Sequence, residues 1–376
     1  METNSKTYQC AIIGGGLAGL CLSIQLAKQG IDVILFEKNQ YPFHKVCGEY
    51  ISMESWNFLT ELGLSLAELN LPVIKELGIS SESGYMLNTP LEMGGFGISR
   101  YSLDNYLYEI AVKNKVTIVQ NCRVLDVKSI HAISQISTSQ GQFTSQITCG
   151  SYGKYTPSFL SDKEPKTANK LNYIGVKYHI KTDLKTNRIE LHNFQNGYSG
   201  VSKVDKDWYC LCYLSDAVNI KENNNDIKQM EENVLYKNRF LKRIFTESEF
   251  VNTDPYVISN IQFSKKHTYK NGIFLLGDSA GTITPLCGNG MSMAMKASKL
   301  LSEVLMRYFN DNFSSDKSRS YYEKLWNDSF QNRITIGYYL QYLFGKKYTT
   351  HYTLKVLDKL PTLTKKIISL THGDIY

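Results

Sequence analysis

Three glycines near the start of the chain have the spacing of a phosphate-binding turn. Gly14, Gly16 and Gly19 follow an apolar run and open a stretch whose apolar residues recur at helical spacing. The first glycine of such a turn permits the bend, the second lets the backbone approach a pyrophosphate, and the third allows close helix packing. Leu17 and Ala18 begin the helix, where free N–H groups and the helix dipole attract an anion. The pattern predicts a dinucleotide site; the alternative is a tight turn without a ligand.

An acidic residue ends the next predicted strand. In IDVILFEK, Glu37 stands where a carboxylate accepts hydrogen bonds from the ribose hydroxyls of an adenosine, and Lys38 follows it. A carboxylate there also disfavours a 2′-phosphate, since like charges repel. Strand, glycine turn, helix and strand together form the first unit of a dinucleotide-binding fold.

A second glycine segment lies far along the chain. Gly277 and Asp278 end an apolar strand, where a carboxylate is well placed to meet a ribityl hydroxyl. Gly288, Gly290 and Met291 then open a predicted helix, whose dipole favours the negative charge that the pyrimidine edge of an isoalloxazine gains on reduction. Two glycine segments so far apart fit the two ends of an extended FAD. The alternative is a helix start that needs small residues for packing alone.

The elements around these motifs predict a mixed α/β fold. We expect a Rossmann-like FAD-binding domain with an inserted β-sheet substrate domain and a helical C-terminus. The inserted sheet should contain one polar helix around Asn224 to Phe245. The expected boundaries are 1–75, 98–171 and 264–305 for the FAD-binding domain, 76–97 and 172–263 for the inserted sheet, and 306–376 for the helical region.

Composition sets broad limits on the class of protein. Of the 376 residues, 42% are hydrophobic and 20% charged, which is ordinary for a globular protein with a large core. The net charge of +7 comes from scattered residues without a nucleic-acid motif, so no nucleic-acid partner is expected. Eight cysteines without a CxxC pair argue against a metal site and a disulfide scaffold. METNSKTYQC has no signal-peptide pattern and no apolar run has membrane-spanning length, so a cytoplasmic location is expected.

With these motifs in place, the chain resembles a flavoprotein superfamily. This superfamily contains geranylgeranyl reductases, aromatic-ring hydroxylases of the p-hydroxybenzoate hydroxylase type and flavin-dependent halogenases. The resemblance covers nearly the whole chain and is most specific at residues 8–54, 98–126 and 272–300. Gly277-Asp278-Ser279-Ala280 matches the second FAD motif of the superfamily. Loop 45–49, KVCGE, is similar to the cysteine-glycine loop of the geranylgeranyl reductases.

The resemblance implies roles for single residues. It places Arg100 near the phosphates of FAD, the backbone of Val124 near the adenine, and Pro285 beside the reactive C4a position of the flavin. Further cofactor contacts are implied in loop 45–49, at Val46, Cys47 and Gly48. The residues implied to act at the flavin face are Pro285, Cys47 and Gly288.

The chain also departs from the pattern of each family. Gly281 stands where the hydroxylases usually have a histidine, as it does in the reductases. Residues 149–154, CGSYGK, replace a central Asp-Gly motif linked to nicotinamide use. The aromatic-rich Phe-Pro motif of the reductases and the Trp-x-Trp-x-Ile-Pro motif of the halogenases are absent. NADPH or NADH is the expected electron donor, acting directly or through a separate flavin reductase as partner.

Smaller features have two interpretations each. Cys47 and Cys287 can meet across the flavin or simply pack there, and packing is favoured. His44 can relay protons or lie at the surface, and the surface is favoured. Tyr50 and Tyr198 are candidate hydroxyls of a substrate pocket. The C-terminal segment mixes aromatic residues with lysines, which suits a lid over a lipophilic substrate or peripheral contact with an anionic membrane; a packed helical cap is favoured.

The expected function is that of an FAD-dependent oxidoreductase. The resemblance implies first a monooxygenase, which would hydroxylate a lipophilic aromatic or polyketide-like small molecule through a flavin C4a-hydroperoxide in a pocket that excludes water. An ene reductase of isoprenoid double bonds is an alternative that draws on the KVCGE loop and Gly281. A halogenase-like enzyme and a flavin-binding partner without turnover are further alternatives.

Overall fold

Two β-sheets form the framework of the computed structural model, which describes residues 6–130, 132–161, 172–261, 266–282, 288–311 and 313–376. The strands among these residues are β1 (Thr7–Ile13), β2 (Val33–Phe36), β3 (Tyr50–Ser52), β4 (Val73–Ser80), β5 (Met86–Gly97), β6 (Thr117–Val119), β7 (Val124–Ile130), β8 (Ile133–Thr138), β9 (Gly141–Gly150), β10 (Tyr173–Lys181), β11 (Arg188–Phe194), β12 (Gly197–Lys203), β13 (Tyr209–Asp216), β14 (Glu249–Phe250), β15 (Tyr256–Ile261), β16 (Tyr269–Lys270) and β17 (Ile273–Leu275). The helices are α1 (Leu17–Lys28), α2 (Trp56–Glu61), α3 (Arg100–Lys113), α4 (Ala217–Glu222), α5 (Ile227–Asn233), α6 (Arg239–Glu247), α7 (Gly290–Asn310), α8 (Ser315–Leu343), α9 (Lys347–Lys359) and α10 (Pro361–Thr371).

The first sheet contains the predicted dinucleotide-binding unit. Its strand order is β16-β17-β9-β1-β2-β6, and the five strands from β17 to β6 run parallel. All four residues of β2 are buried, as expected where a parallel sheet is covered on both faces. Strands β7 and β8 extend β9 as the antiparallel meander that the alternating sequence predicts. Helices α1, α3 and α7 pack together with β1 and β9 in one apolar core.

The second sheet is antiparallel except where β4 pairs with β11. Its order is β14-β10-β13-β12-β11-β4-β5-β3, with β15 also paired to β10. Strand β3 joins this sheet through β5, with Tyr50 opposite Gly97. The sequence assigned residues 50–52 to segment 1–75 of the FAD-binding domain, because a three-residue strand shows no periodicity of its own. The chain therefore crosses from one sheet to the other directly after loop 45–49.

The polar helix expected around Asn224 to Phe245 is in fact two short helices, α5 and α6. Asn224 and Asn225 both have a positive φ, which separates α5 from α4. The side chains of Asp226 and Asn238 then cap the starts of α5 and α6. These caps, rather than a change in hydrophobic pattern, divide the segment.

Helices α8 to α10 form the predicted helical C-terminus and connect the two halves. Tyr322, Trp326 and Phe330 of α8 are buried in the core of the first sheet. Leu354 of α9 is buried in a separate core with Ile74 of β4 and neighbouring leucines. None of the helices in the described ranges is both long enough and apolar enough to cross a membrane.

Candidate cofactor and substrate site

A connected cavity of about 1280 Å³ brings the predicted site residues together. It begins at the glycine turn after β1, passes loop 45–49, and ends between the second sheet and helices α8 to α10. Gly19 does not line it, and Pro285 and Cys287 lie outside the described residues. The predicted residues on its walls are Gly14, Gly16, Leu17, Ala18, Glu37, Lys38, Val46, Cys47, Gly48, Arg100, Val124, Gly277, Asp278, Gly288, Gly290 and Met291.

The three glycines of the first motif have different surroundings. Gly14 has a φ of +104°, and a Cβ added to it would lie 2.4 Å from the carbonyl oxygen of Ser151. A Cβ on Gly19 would lie 2.1 Å from the carbonyl oxygen of Gly14. At Gly16, by contrast, an added Cβ would meet only Lys45 Nζ, at 3.7 Å. Gly14 and Gly19 are therefore required by the fold itself, whereas Gly16 leaves open space of the kind a pyrophosphate would fill.

Glu37 is buried at the end of β2 and already has protein partners. Its carboxylate accepts hydrogen bonds from Gly15 N at 2.9 Å, Asn39 N at 3.0 Å and Asn39 Nδ2 at 2.9 Å. A carboxylate has about four acceptor positions, so one remains for a ribose hydroxyl. Glu37 thus orders the glycine turn and can still meet a nucleoside.

Two helix N-termini open on the cavity. Helices α1 and α7 begin at Leu17 and Gly290, and neither has an acidic residue in its first turn or a side-chain cap among the described residues. Their first N–H groups are therefore available to a ligand, and both dipoles favour negative charge. The two ends suit the pyrophosphate and the reduced ring of FAD, so the residues present fit this cofactor.

A charge cluster lies beside Gly16. The Arg100 guanidinium holds Asp104 with two bonds, of 2.7 and 2.8 Å, and Lys45 Nζ lies 3.0 Å from Asp104 Oδ2. Burial opposes ionisation of Asp104, but Arg100 and Lys45 outweigh it and keep the pKa of this carboxyl below its ordinary value. The three groups carry a net positive charge, which favours a pyrophosphate at Gly16. Lys45 had no role in the sequence-based prediction, although it belongs to the KVCGE loop.

A second cluster anchors loop 45–49 to strand β10. Glu49 has a positive φ of 56° and no solvent exposure. Its carboxylate accepts from Lys177 Nζ at 2.5 Å and from Arg100 N at 2.8 Å, and lies 2.7 Å from His179 Nε2. Burial opposes ionisation of Glu49, but Lys177 and His179 hold its pKa below the ordinary value. Lys177 and His179 alternate in the strand YIGVKYHI, and this was the only sequence signal for them.

The flavin-face residues of loop 45–49 adjoin two further groups. Cys47 is half-buried on the cavity wall, and its carbonyl accepts a hydrogen bond from Cys210 Sγ at 3.2 Å. Tyr50 lines the cavity with its ring beside Gly288, and its buried hydroxyl has no hydrogen-bond partner among the described residues. Burial raises the pKa of Tyr50 above its ordinary value, so the phenol is protonated at neutral pH. Tyr198, the other predicted hydroxyl, lines the cavity as well.

His44, for which a surface position was favoured, is half-buried and packed between two aromatic rings. Its ring is stacked between those of Tyr101 and Tyr256, each at 4.6 Å between centroids. Burial, with the charges of Lys177 and His179 nearby, lowers its pKa to about 4. The imidazole is therefore neutral at neutral pH and lines the cavity without charge.

The far end of the cavity is apolar. Strands β4, β5 and β11 supply one wall, and helices α8, α9 and α10 supply the other. The helices also contribute Thr353, Thr364 and Thr371, and His372 follows α10. The apolar wall residues, which suit a hydrocarbon-rich molecule, are Leu77, Ile79, Leu87, Leu91, Ile189, Leu191, Leu340, Leu343, Phe344, Leu357, Ile367 and Ile368.

Two family models match the chain. Residues 7–143 match the FAD binding domain, a range that holds the glycine turn, Glu37, loop 45–49 and Arg100. The chain has an FAD-binding domain. Residues 206–352, which include β13 of the second sheet and all of α8, match squalene epoxidase. The match of residues 7–143 supports FAD as the cofactor.

The curated relatives of this protein are distant and diverse. It is 23% identical over 369 residues to conditioned medium factor receptor 1 of Dictyostelium discoideum, covering 89% of this chain and 70% of that protein. It is 21% identical over 371 residues to a digeranylgeranylglycerophospholipid reductase of Methanococcus vannielii, covering 87% and 84%.

Solved structures share the fold. The flavin-dependent brominase Bmp2 has a TM-score of 0.79 at 18% identity, covering 97% of this chain and 93% of that one. PqsL of Pseudomonas aeruginosa has a TM-score of 0.73 at 17% identity, covering 92% and 98%. The predicted fold class and the resemblance are both confirmed, and the relatives support an FAD-dependent oxidoreductase.

Proposed function

We propose that the protein is an FAD-dependent monooxygenase of a lipophilic small molecule. The observation that carries this proposal is that the FAD groove and the apolar end of the cavity form one continuous space. The match of residues 206–352 to squalene epoxidase and the likeness to a probable FAD-dependent monooxygenase of Pseudomonas aeruginosa support it.

The residues of the chain would bind the cofactor, orient the substrate and exclude water from the cavity. Gly16, Lys45 and the N-terminus of α1 would hold the pyrophosphate, and the N-terminus of α7 would stabilise negative charge on the reduced ring. When bound, FAD reduced by NADPH or NADH would supply two electrons to O₂, so that one oxygen atom enters the substrate and the other leaves as water. The apolar walls would exclude bulk water and place the hydrocarbon against the flavin end of the cavity.

Alkene reduction is the second candidate, and two residues favour it. A reductase must deliver a proton to one alkene carbon while a hydride reaches the other. Tyr50 and Cys47 both line the cavity, and each side chain carries a proton that a reductase could use. The similarity of loop 45–49 to that of the geranylgeranyl reductases, and of the chain to the reductase of Methanococcus vannielii, also supports alkene reduction.

Isotope labelling separates the two reactions. FAD-loaded protein would be mixed with NADPH or NADH and either a long-chain alkylphenol or geranylgeraniol, under isotopically heavy oxygen and under nitrogen. Heavy oxygen in a product, found by mass spectrometry, would support the monooxygenase. Gain of two hydrogens by geranylgeraniol under nitrogen would overturn it in favour of the reductase. Bleaching of the flavin by NADPH or NADH alone would show that no separate flavin reductase is needed.

A further inference from the structure

Exposed apolar side chains are concentrated at the C-terminal end of the chain. Of the eighteen large hydrophobic side chains that are exposed among the described residues, eleven fall within residues 338–376. That segment is about a tenth of the chain, so the excess is a local property of helices α8 to α10. We call these eleven residues the aromatic face: Tyr338, Tyr339, Tyr342, Leu343, Tyr348, Tyr352, Val356, Leu360, Leu363, Leu370 and Ile375. Soluble surfaces scatter such residues singly, so their concentration in one segment, with five of them around a single cleft, indicates a contact surface.

The aromatic face adjoins the substrate cavity. A surface cleft of about 680 Å³ lies between α8 and α10, with Tyr338, Tyr339 and Tyr342 on its rim. Leu340, Leu343 and Ile367 line both this cleft and the apolar end of the large cavity. These three side chains therefore form a wall, one residue thick, between the protein exterior and the substrate space.

Positive charge is concentrated in the same segment. Residues 338–376 contain six lysines and two aspartates. Lys347 approaches Glu82 in the turn between β4 and β5, and Lys365 approaches Glu92 of β5. Lys355, Lys359 and Lys366 are exposed and make no ion pair with a described carboxylate. Tyrosine, leucine and unpaired lysine together match the polarity of an anionic lipid surface, where rings enter the headgroup layer and ammonium groups meet phosphate or carboxylate.

We propose that the aromatic face docks on an anionic lipid membrane. The lipophilic substrate would then pass from the bilayer into the cavity between the side chains of Leu340, Leu343 and Ile367. The docking stands on the exposed side chains alone, while the passage rests on the lipophilic substrate of the proposed function. A second copy of the chain is a poorer occupant, because a two-fold contact would bring these lysines against one another.

Docking is tested by flotation of the full chain with vesicles. The protein should float with phosphatidylcholine vesicles that contain phosphatidylserine, and much less with phosphatidylcholine alone. Tyr339→Ser/Tyr348→Ser/Tyr352→Ser and Lys355→Gln/Lys359→Gln/Lys366→Gln should each weaken binding about tenfold or more. The matched controls Val112→Ser/Leu125→Ser and Lys221→Gln/Lys228→Gln/Lys242→Gln change exposed residues elsewhere and should bind like the parent. Absence of flotation, equal losses in the controls, or a dimer abolished by the tyrosine variant would overturn the proposal.

The passage is tested without catalysis. A pyrene-labelled long-chain hydrocarbon would be transferred from phosphatidylserine vesicles to the protein, with fluorescence as the readout. Ile367→Trp thickens the wall and should slow transfer severalfold, while vesicle binding stays unchanged. Transfer at the parental rate would exclude this route. If the parent protein binds vesicles and takes up the labelled hydrocarbon but incorporates no oxygen into a product, only the proposed monooxygenase reaction would be contradicted.

Discussion

Glu49 and Lys177 form an ion pair from which solvent is excluded, with Oε1 and Nζ 2.5 Å apart. The pair joins loop 45–49 to strand β10 of the second sheet. Lys177 Nζ also donates to the carbonyl of Lys45, at 3.1 Å. Because separation would leave a charge buried without its partner, the loop and the sheet are held as one unit.

Removing one member of this pair should destabilise the protein strongly. Lys177→Met leaves Glu49 without its ammonium partner and should lower the free energy of unfolding by roughly 3–5 kcal/mol. The double variant Glu49→Gln/Lys177→Met should recover part of this loss, because no unbalanced charge remains. Urea denaturation followed by circular dichroism provides the measurement. The control is Lys181→Gln, which breaks the exposed pair between Lys181 and Glu249. A similar loss of unfolding free energy in Lys177→Met and in Lys181→Gln would contradict the prediction.

Stability should fall as the pH is lowered from about 6.5 to about 4, and His44 should contribute to the fall. The pKa of His44 is lowered from 6.5 to about 4 by burial and by the charges of Lys177 and His179. Within this window the unfolded chain takes up a proton at this residue and the folded chain does not, so acid favours unfolding. His44→Gln should flatten the dependence of the unfolding midpoint on pH in this window. Parallel curves for the two proteins would exclude His44 as the cause.

Glu49 and Asp104 should act at lower pH than His44. Their pKa values are held below the ordinary ones of 4.5 and 3.8. Their contribution to stability is therefore complete above those values and is lost as the pH falls further towards the folded-state values. Asp104→Asn should make the free energy of unfolding less dependent on pH below about pH 4. Between pH 6.5 and pH 4 its dependence on pH should stay nearly unchanged.

The same substitution at two glycines should have two different results. Gly14→Val places a side chain against Ser151 at a positive φ, so we expect misfolded or insoluble protein. Gly16→Val projects into the open space beside Lys45, so the protein should fold but lose most of its bound FAD. Circular dichroism reports the fold and the ratio of flavin to protein absorbance reports the cofactor. A folded Gly16→Val variant with normal flavin content would contradict the pyrophosphate site.

Lys45 should contribute to FAD affinity through charge. Lys45→Gln removes one positive group beside Gly16 but leaves Asp104 paired with Arg100, so the fold should persist. Loss of one charge-assisted bond corresponds to a dissociation constant for FAD raised by about tenfold, with a weaker dependence on salt. Titration of apoprotein by flavin fluorescence would measure both. Lys6 is exposed and directly precedes β1. The control variant Lys6→Gln should change neither the dissociation constant for FAD nor its dependence on salt.

Tyr50→Phe should separate packing from chemistry. The hydroxyl is buried without a partner among the described residues, so its removal should leave stability unchanged or raise it by about 1 kcal/mol. If Tyr50 donates a proton or hydrogen bond to the reacting substrate, turnover should fall while FAD affinity is retained. Thermal unfolding and single-turnover product formation test the two parts. Unchanged turnover would assign Tyr50 to packing alone.

Short-range motifs could be predicted from the sequence because their chemistry is local. The turn at Gly14 and Gly16 and the helix start at Gly290 need only a strand, small residues and a helix in succession. Loop 45–49 was placed near the flavin by resemblance, and the cavity brings it to the same space as both glycine segments. The candidate cofactor residues therefore converge although they are spread over most of the chain.

Long-range charge clusters could not be predicted in the same way. Lys177 is 128 residues from Glu49 in sequence, and only the pairing of two sheets around loop 45–49 brings them into contact. Lys45 was recognised only as part of the KVCGE loop, because its contact with Asp104 of α3 joins residues 59 positions apart in the sequence. The membership of β3 in the second sheet was missed for a related reason, since three residues carry too little pattern.

Helix α8 links the flavin half to the outer wall as one rod of 29 residues. Its Trp326 packs against Gly281, where an added Cβ would lie 2.9 Å from the indole, and its Leu343 belongs to the wall beside the aromatic face. At 1.5 Å per residue these two points are about 25 Å apart. A tilt of about 5° around Trp326 would move Leu343 by about 2 Å, which is a large part of a side chain's width. Because α8 is one continuous helix, a contact that tilted its outer end would also change the packing of Trp326 against Gly281, the residue that follows Gly277-Asp278-Ser279-Ala280.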